Sequence, residues 1–116
     1  MQIFNPEKRR EIRLNLSAPV RYQIRGSQVF GNTVTRNISR GGTCFIADRF
    51  IKPETRLSVD VNILARSINS IGTVRWAEAI AHSDKYRLGV EFTILSPQDK
   101  NYLSDYLDMR IPKESM

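Results

Sequence analysis

Two short segments of this sequence concentrate side chains suited to binding chemistry. The first is Lys8-Arg9-Arg10-Glu11-Ile12-Arg13. Arg9 and Arg13 are spaced to share one turn of helix or to straddle a bend. An arginine fork makes paired hydrogen bonds to phosphate or to the O6/N7 edge of guanine, and its flat face stacks on bases. The second segment is Asn37-Ile38-Ser39-Arg40-Gly41-Gly42. Period-two geometry puts Asn37 and Ser39 on one face of a strand, opposite the face that buries Ile38. Both are short hydrogen-bonding groups at a strand end, and Gly41 and Gly42 permit positive φ and close backbone approach. The pattern describes a polar ledge beside a tight turn. Each segment also has a plain reading. Basic runs are common on solvated surfaces, and Asn, Ser and Gly are ordinary turn residues.

Charge placement sharpens the first segment. The chain has 116 residues and a formal charge of +6. Residues 1–40 hold eight basic side chains against two acidic ones, which accounts for the whole excess; the remainder holds ten of each. A one-sided basic field points to an anionic partner: nucleic acid, nucleotide or acidic lipid. Other chemistries find little support. One Cys and one His cannot supply a structural zinc site, which takes about four N/S ligands. An internal disulfide is impossible, and a single Cys suits a reducing cytosol. Cys44 reads as a small core hydrophobe, and nothing brings it to His82 as a catalytic pair. The carboxylates are scattered rather than paired, and there is no P-loop or Rossmann fingerprint. No apolar run is long enough for a membrane span or shaped as a signal peptide. The expectation is a cytoplasmic binding module, not an enzyme.

The elements that must position these residues follow from periodicity. Residues 1–17 lack a clean period and read as a flexible basic arm. Residues 18–95 carry six strand signals. Ala18, Val20, Tyr22 and Ile24 alternate with Arg21, Gln23 and Arg25, and Gly26-Ser27 marks a turn. Phe30, Val34 and Ile38 share one parity. Thr43 to Ala47 is short and nearly all apolar. Leu57 to Ile63, Val74 with Trp76, and Tyr86 to Ile94 alternate again, with Trp76 and Ile94 on core parity. Six strands with short turns predict an antiparallel sheet closed into a small barrel or sandwich, mainly β. One helix follows over residues 96–111. Ser96 is a good N-cap and Pro97 suits the first helical position. Tyr102, Leu103, Tyr106 and Leu107 form an apolar stripe.

Taken in order, Arg-x3-Arg (Arg9, Arg13) and then Asn-x-Ser-x-x-Gly (Asn37, Ser39, Gly42) resemble the PilZ domain family. That family's pattern is RxxxR followed by [D/N]xSxxG on a six-stranded β-barrel. Gly72-Thr73-Val74-Arg75-Trp76 and Tyr86-Arg87-Leu88-Gly89-Val90-Glu91-Phe92 are similar to its closing strands, and a C-terminal helix is also usual. The resemblance runs from about residue 7 to residue 109. It implies a bacterial receptor for cyclic di-GMP, a dianion with two guanines, acting as a second-messenger effector. Carried over by position, Arg9 and Arg13 grip phosphate and guanine, and Asn37 and Ser39 hydrogen-bond a guanine. Gly41 and Gly42 keep the turn tight. Arg10 joins the grip, with Lys8, Arg36 and Arg40 as supporting candidates; parity turns Arg36 away from Asn37. In the family an arginine just before RxxxR accompanies a stacked ligand dimer. Lys8 stands there, which leaves one or two ligand molecules per chain open. Ligand would order the arm and control docking on a partner protein. The alternatives are a small basic barrel binding nucleic acid non-specifically and a ligand-free interaction scaffold. On the receptor reading, one small site accounts for most of the basic excess.

Overall fold

In the computed structural model the structure describes residues 12–110. Seven strands appear in chain order: β1 (Leu14–Asn15), β2 (Pro19–Ile24), β3 (Phe30–Ile38), β4 (Gly42–Ala47), β5 (Arg56–Ile63), β6 (Arg66–Ala79) and β7 (Tyr86–Leu95). One helix, α1 (Pro97–Arg110), follows. The sheet runs β1-β3-β2-β5-β6-β7-β4, all antiparallel, and a β3–β4 pairing closes it. Six strands therefore form a closed barrel, which leaves the domain no long unpaired edge. β1 is the addition. Leu14 pairs with Ile38 and Asn15 with Asn37, so the two residues lie along the half of β3 that leads to the ledge.

Apolar residues at alternate positions fill the barrel. Val20 and Tyr22 from β2, Leu57, Val59, Val61 and Ile63 from β5, and Leu88 and Val90 from β7 are buried. The Tyr22 and Phe45 rings stack 5.2 Å apart at the centre. The β2–β3 turn forms at Gly26, where a φ of 78° favours a residue without a Cβ.

Three expectations from simple alternation fail, each for the same reason. A β-bulge inserts one extra residue and flips the side-chain parity beyond it. On β3 the bulge falls between Thr35 and Asn37, with Arg36 as the extra residue. Before it, Phe30 and Val34 are exposed while Thr35 is buried; after it, Ile38 is buried. On β6 the bulge falls between Val74 and Trp76, which turns Trp76 out of the core to 44% exposure. On β7 the irregularity opposite Ile71 and Gly72 leaves Ile94 at 60% exposure. The first half of β6 was also not evident as a strand. Ile68 and Ser70 alternate inward, but the Ser, Asn and Gly residues around them hide the pattern.

Helix α1 starts as its residues dictate. Ser96 Oγ accepts from the Asp99 amide at 3.1 Å, and the Ser96 carbonyl accepts from Lys100 at 2.8 Å. Leu103, Tyr106 and Leu107 are buried against the barrel, and the Tyr102 hydroxyl donates to the Ile63 carbonyl at 2.9 Å. Asp99 anchors the first turn to the barrel by accepting from Arg66 at 2.7 Å and from the Asn69 amide at 3.1 Å. Burial alone would raise the Asp99 carboxyl, but the Asn69 amide, the Arg66 guanidinium and the Ser96 hydroxyl outweigh it and hold its pKa below the usual carboxylate value. A group depressed in this way contributes stability above its unfolded pKa, about 4, and loses it as pH falls through the folded value. Urea denaturation across the acid range checks this. Asp99→Asn is expected to lower stability at pH 7 and to flatten the loss below about pH 4.

Candidate ligand-binding site

The ledge is built by the end of β3, a three-residue turn and the start of β4. Ser39 staples the turn: its amide donates to the Gly42 carbonyl at 2.8 Å, and its Oγ accepts from the Gly41 amide at 3.2 Å. Arg13 reaches this ledge from the residue before β1. Its Nε donates to Asn37 Oδ1 at 2.6 Å, and its Nη1 donates to Ser39 Oγ at 3.3 Å. Three residues drawn from two distant segments thus meet. They differ in access. Arg13 is exposed and Asn37 half-buried, but Ser39 is fully buried.

Neither Gly41 nor Gly42 has positive φ; Gly26 is the only glycine among the described residues that does. Gly42 is required by close approach instead. It pairs with Glu91 of β7, and a Cβ there would lie 2.3 Å from the Val90 carbonyl oxygen.

Beside the ledge the barrel wall carries a hollow of about 790 Å³. That is within the range of roughly 300–1,000 Å³ usual for small-molecule sites. Arg13, Asn37 and Gly42 form one side, and Arg75, Trp76, Arg87 and Glu91 the other. The Trp76 indole lies over Gly89, where a Cβ would come within 2.2 Å of its ring atoms. Gly89 therefore gives the ring a flat seat, and the bulge turns it outward. A second hollow of about 670 Å³ adjoins the first and shares Asn37, Cys44 and Arg87 with it.

The electrostatics favour an anion. Burial raises the Cys44 thiol pKa, while Arg87, Arg13 and Arg36 pull the other way, so three guanidinium groups surround this floor. Arg75 is paired with Glu91 at 2.6 Å and with Glu54 at 3.0 Å, and Arg87 with Glu78 at 2.9 Å. Among the described residues neither Arg13 nor Arg36 has a carboxylate partner. Beside the hollows no described carboxylate compensates their charge.

The other residues singled out from the sequence divide. Arg36 is the bulged residue of β3 and lines the second hollow together with Asn37, so the parity that turned it away does not hold. Arg40 is taken up by α1: its Nε donates to Ser104 Oγ at 2.9 Å, and its Nη2 pairs with Asp108. Lys8, Arg9 and Arg10 lie outside the described residues. Arg21 stacks over the Phe30 ring at 5.0 Å, and neither it nor Arg25 lines either of these two hollows. Part of the basic excess of the first third is therefore spent elsewhere on the barrel. Sequence reasoning missed Arg75, Arg87 and Glu91 as lining residues. The signal that would have found them is the run of outward positions on β6 and β7 facing the ledge.

Residues 7–109 match the PilZ domain. The chain belongs to the PilZ domain family. Solved structures share its fold. The Bacillus subtilis inhibitor of motility (MotI/DgrA) superposes with a TM-score of 0.75 at 20% identity, over 87% of this chain and 50% of that one. This chain thus spans half the length of that protein. The PilZ domain of Escherichia coli YcgR, solved with c-di-GMP, gives 0.69 at 14% identity, over 88% and 90%. The K. pneumonia MrkH–c-di-GMP complex gives 0.70 at 14%, over 88% and 51%. At such identities the likeness is one of fold. No curated protein matches the sequence significantly. Both motifs of this PilZ domain, Arg9 with Arg13 and Asn37 with Ser39 and Gly42, fall within the matched span. No helix among the described residues is long and apolar enough to cross a membrane.

Proposed function

We propose that this PilZ domain is a receptor for cyclic di-GMP that binds the dinucleotide without transforming it. The observation that carries this reading is the Arg13 guanidinium, held by Asn37 and Ser39 at the rim of a dinucleotide-sized hollow and paired with no carboxylate among the described residues. A dianion with two guanine faces fits that chemistry. Arg13 pairs with phosphate or with the guanine O6/N7 edge. Arg36 adds positive charge, and Trp76 offers a stacking face. Ser39, buried beneath, serves by fixing Arg13 and the turn. Two of the structural relatives carry c-di-GMP in their own structures, which supports the same ligand class here.

The mechanism extends to the segment before Arg13. Arg9 and Arg10 close over the bound ligand, beside the contact that Arg13 makes with the ledge. Ordering costs about 1–2 kcal/mol per residue. Charged hydrogen bonds at about 1.5–3 kcal/mol each offset that over a short segment. The closed segment alters the surface offered to a partner protein in the bacterial cytoplasm. Hydrogen exchange checks this step: amides of residues 5–11 gain protection when cyclic di-GMP is added, and unchanged protection would sink it.

The chain has a single tryptophan, so its fluorescence reports on this hollow. Titration with cyclic di-GMP is expected to change Trp76 emission saturably; a flat signal with Trp76 in place counts against the site. Base–aromatic stacking contributes about 1–3 kcal/mol. Trp76→Ala is accordingly expected to weaken binding about tenfold or more, with little loss of stability because the ring is half-exposed.

A further inference from the structure

Guanine differs from adenine most sharply on its Watson–Crick edge, where N1–H and the N2 amino group both donate. A site that selects guanine there must present an acceptor. Asn37 Oδ1 already accepts from Arg13 at 2.6 Å, so it offers one remaining lone pair and no negative charge to two donors. Glu91 is the one carboxylate among the described residues lining the larger hollow. It stands directly across the β4–β7 seam from Gly42 of the ledge. Its Oε1 accepts from Arg75 Nε at 2.6 Å, while among the described residues Oε2 has no partner. Arg75 is itself braced from the far side by both oxygens of Glu54, at 3.0 and 3.1 Å. The carboxylate is therefore held at the hollow with one oxygen in reserve.

We propose that Glu91 accepts from the N1–H and N2 amino groups of a bound guanine, and that it sets selection of guanine over adenine. This rests on the receptor reading above. Arg75 acts through Glu91 as a positioning residue. Adenine presents a lone pair at N1, which faces a carboxylate unfavourably, so the same group that favours one base disfavours the other. The side chain is half-exposed and its strand neighbours are untouched by substitution, so variants at this position keep the fold.

The test compares affinities of wild type, Glu91→Ala and Glu91→Gln for cyclic di-GMP, cyclic di-IMP and cyclic di-AMP. Inosine keeps N1–H and lacks the N2 amino group. Wild type is expected to prefer cyclic di-GMP over cyclic di-IMP by roughly tenfold, the effect of one charge-assisted hydrogen bond. In Glu91→Ala this preference collapses and the preference over cyclic di-AMP shrinks. In Glu91→Gln binding of cyclic di-AMP rises, because the amide can donate to adenine N1. The inference is overturned if both variants keep wild-type ratios while Arg13→Ala still loses binding, and the receptor reading then survives alone. Failure of wild type to bind any of the three ligands removes both.

Discussion

Arg13→Ala is expected to weaken cyclic di-GMP binding by about a hundredfold or more while the melting temperature moves by only a few degrees. The guanidinium makes two hydrogen bonds on the ledge and is free to make further ones to an anion. Loss of two charge-assisted contacts removes about 3–6 kcal/mol, and every 1.4 kcal/mol is tenfold in affinity. The fold has little stake in the residue. Arg13 is exposed, precedes β1, and leaves Ser39 Oγ still bonded to the Gly41 amide when it is removed. Exposed substitutions of this kind stay within about 0.5 kcal/mol of wild type. Arg13→Lys separates charge from geometry. It keeps the cation and loses the fork, so its affinity is expected between the two. Titration calorimetry beside a thermal melt reads both quantities.

Gly42→Ala is expected to be the opposite case, with a large loss of stability that takes binding with it. A Cβ at this position would sit 2.3 Å from the Val90 carbonyl oxygen and 3.3 Å from Glu91 Cα, so the obstacle is backbone of the adjacent strand. Relief requires β4 and β7 to part where Gly42 pairs with Glu91 and Thr43 with Val90. Overpacking costs about 1–3 kcal/mol in ordinary cores, and a backbone obstacle belongs at the upper end. For a domain of this size that lowers the melting temperature by about 10 °C or more. Gly89→Ala makes an instructive contrast. Its Cβ meets the Trp76 indole, a side chain with solvent beside it, so the ring can move. Stability is expected to fall less than for Gly42→Ala, with the larger effect on ligand binding. Thermal denaturation of the two variants in parallel decides the comparison.

These contrasts show what could be read from residue order and what could not. The existence of the strand Tyr86–Leu95, though not the outward turn of Ile94, and the helix stripe of Leu103, Tyr106 and Leu107 follow from local periodicity. The two motifs also meet in space: Arg13 and Asn37, 24 positions apart in the chain, are hydrogen-bonded. The bulges at Arg36 and Arg75 were illegible. They arise where a six-stranded sheet bends to close, and the constraint comes from strands far along the chain rather than from neighbours. Both errors fell on the candidate site. One hid Trp76 in an imagined core, and the other sent Arg36 to the wrong side. Ser39 illustrates a further limit. Its hydroxyl was expected at the surface, yet the turn that makes the ledge tight also buries it. Alternation describes faces of a strand and stops at the turn.

The central claim is tested most directly by calorimetric titration of the wild-type domain with cyclic di-GMP, linear pGpG and cyclic di-AMP at two salt concentrations. The account predicts saturable binding of cyclic di-GMP, at one or two molecules per chain, with clear preference over the other two and a modest salt dependence. Equal affinity for all three ligands, or a steep salt dependence of the kind that marks polymer phosphate binding, would contradict it.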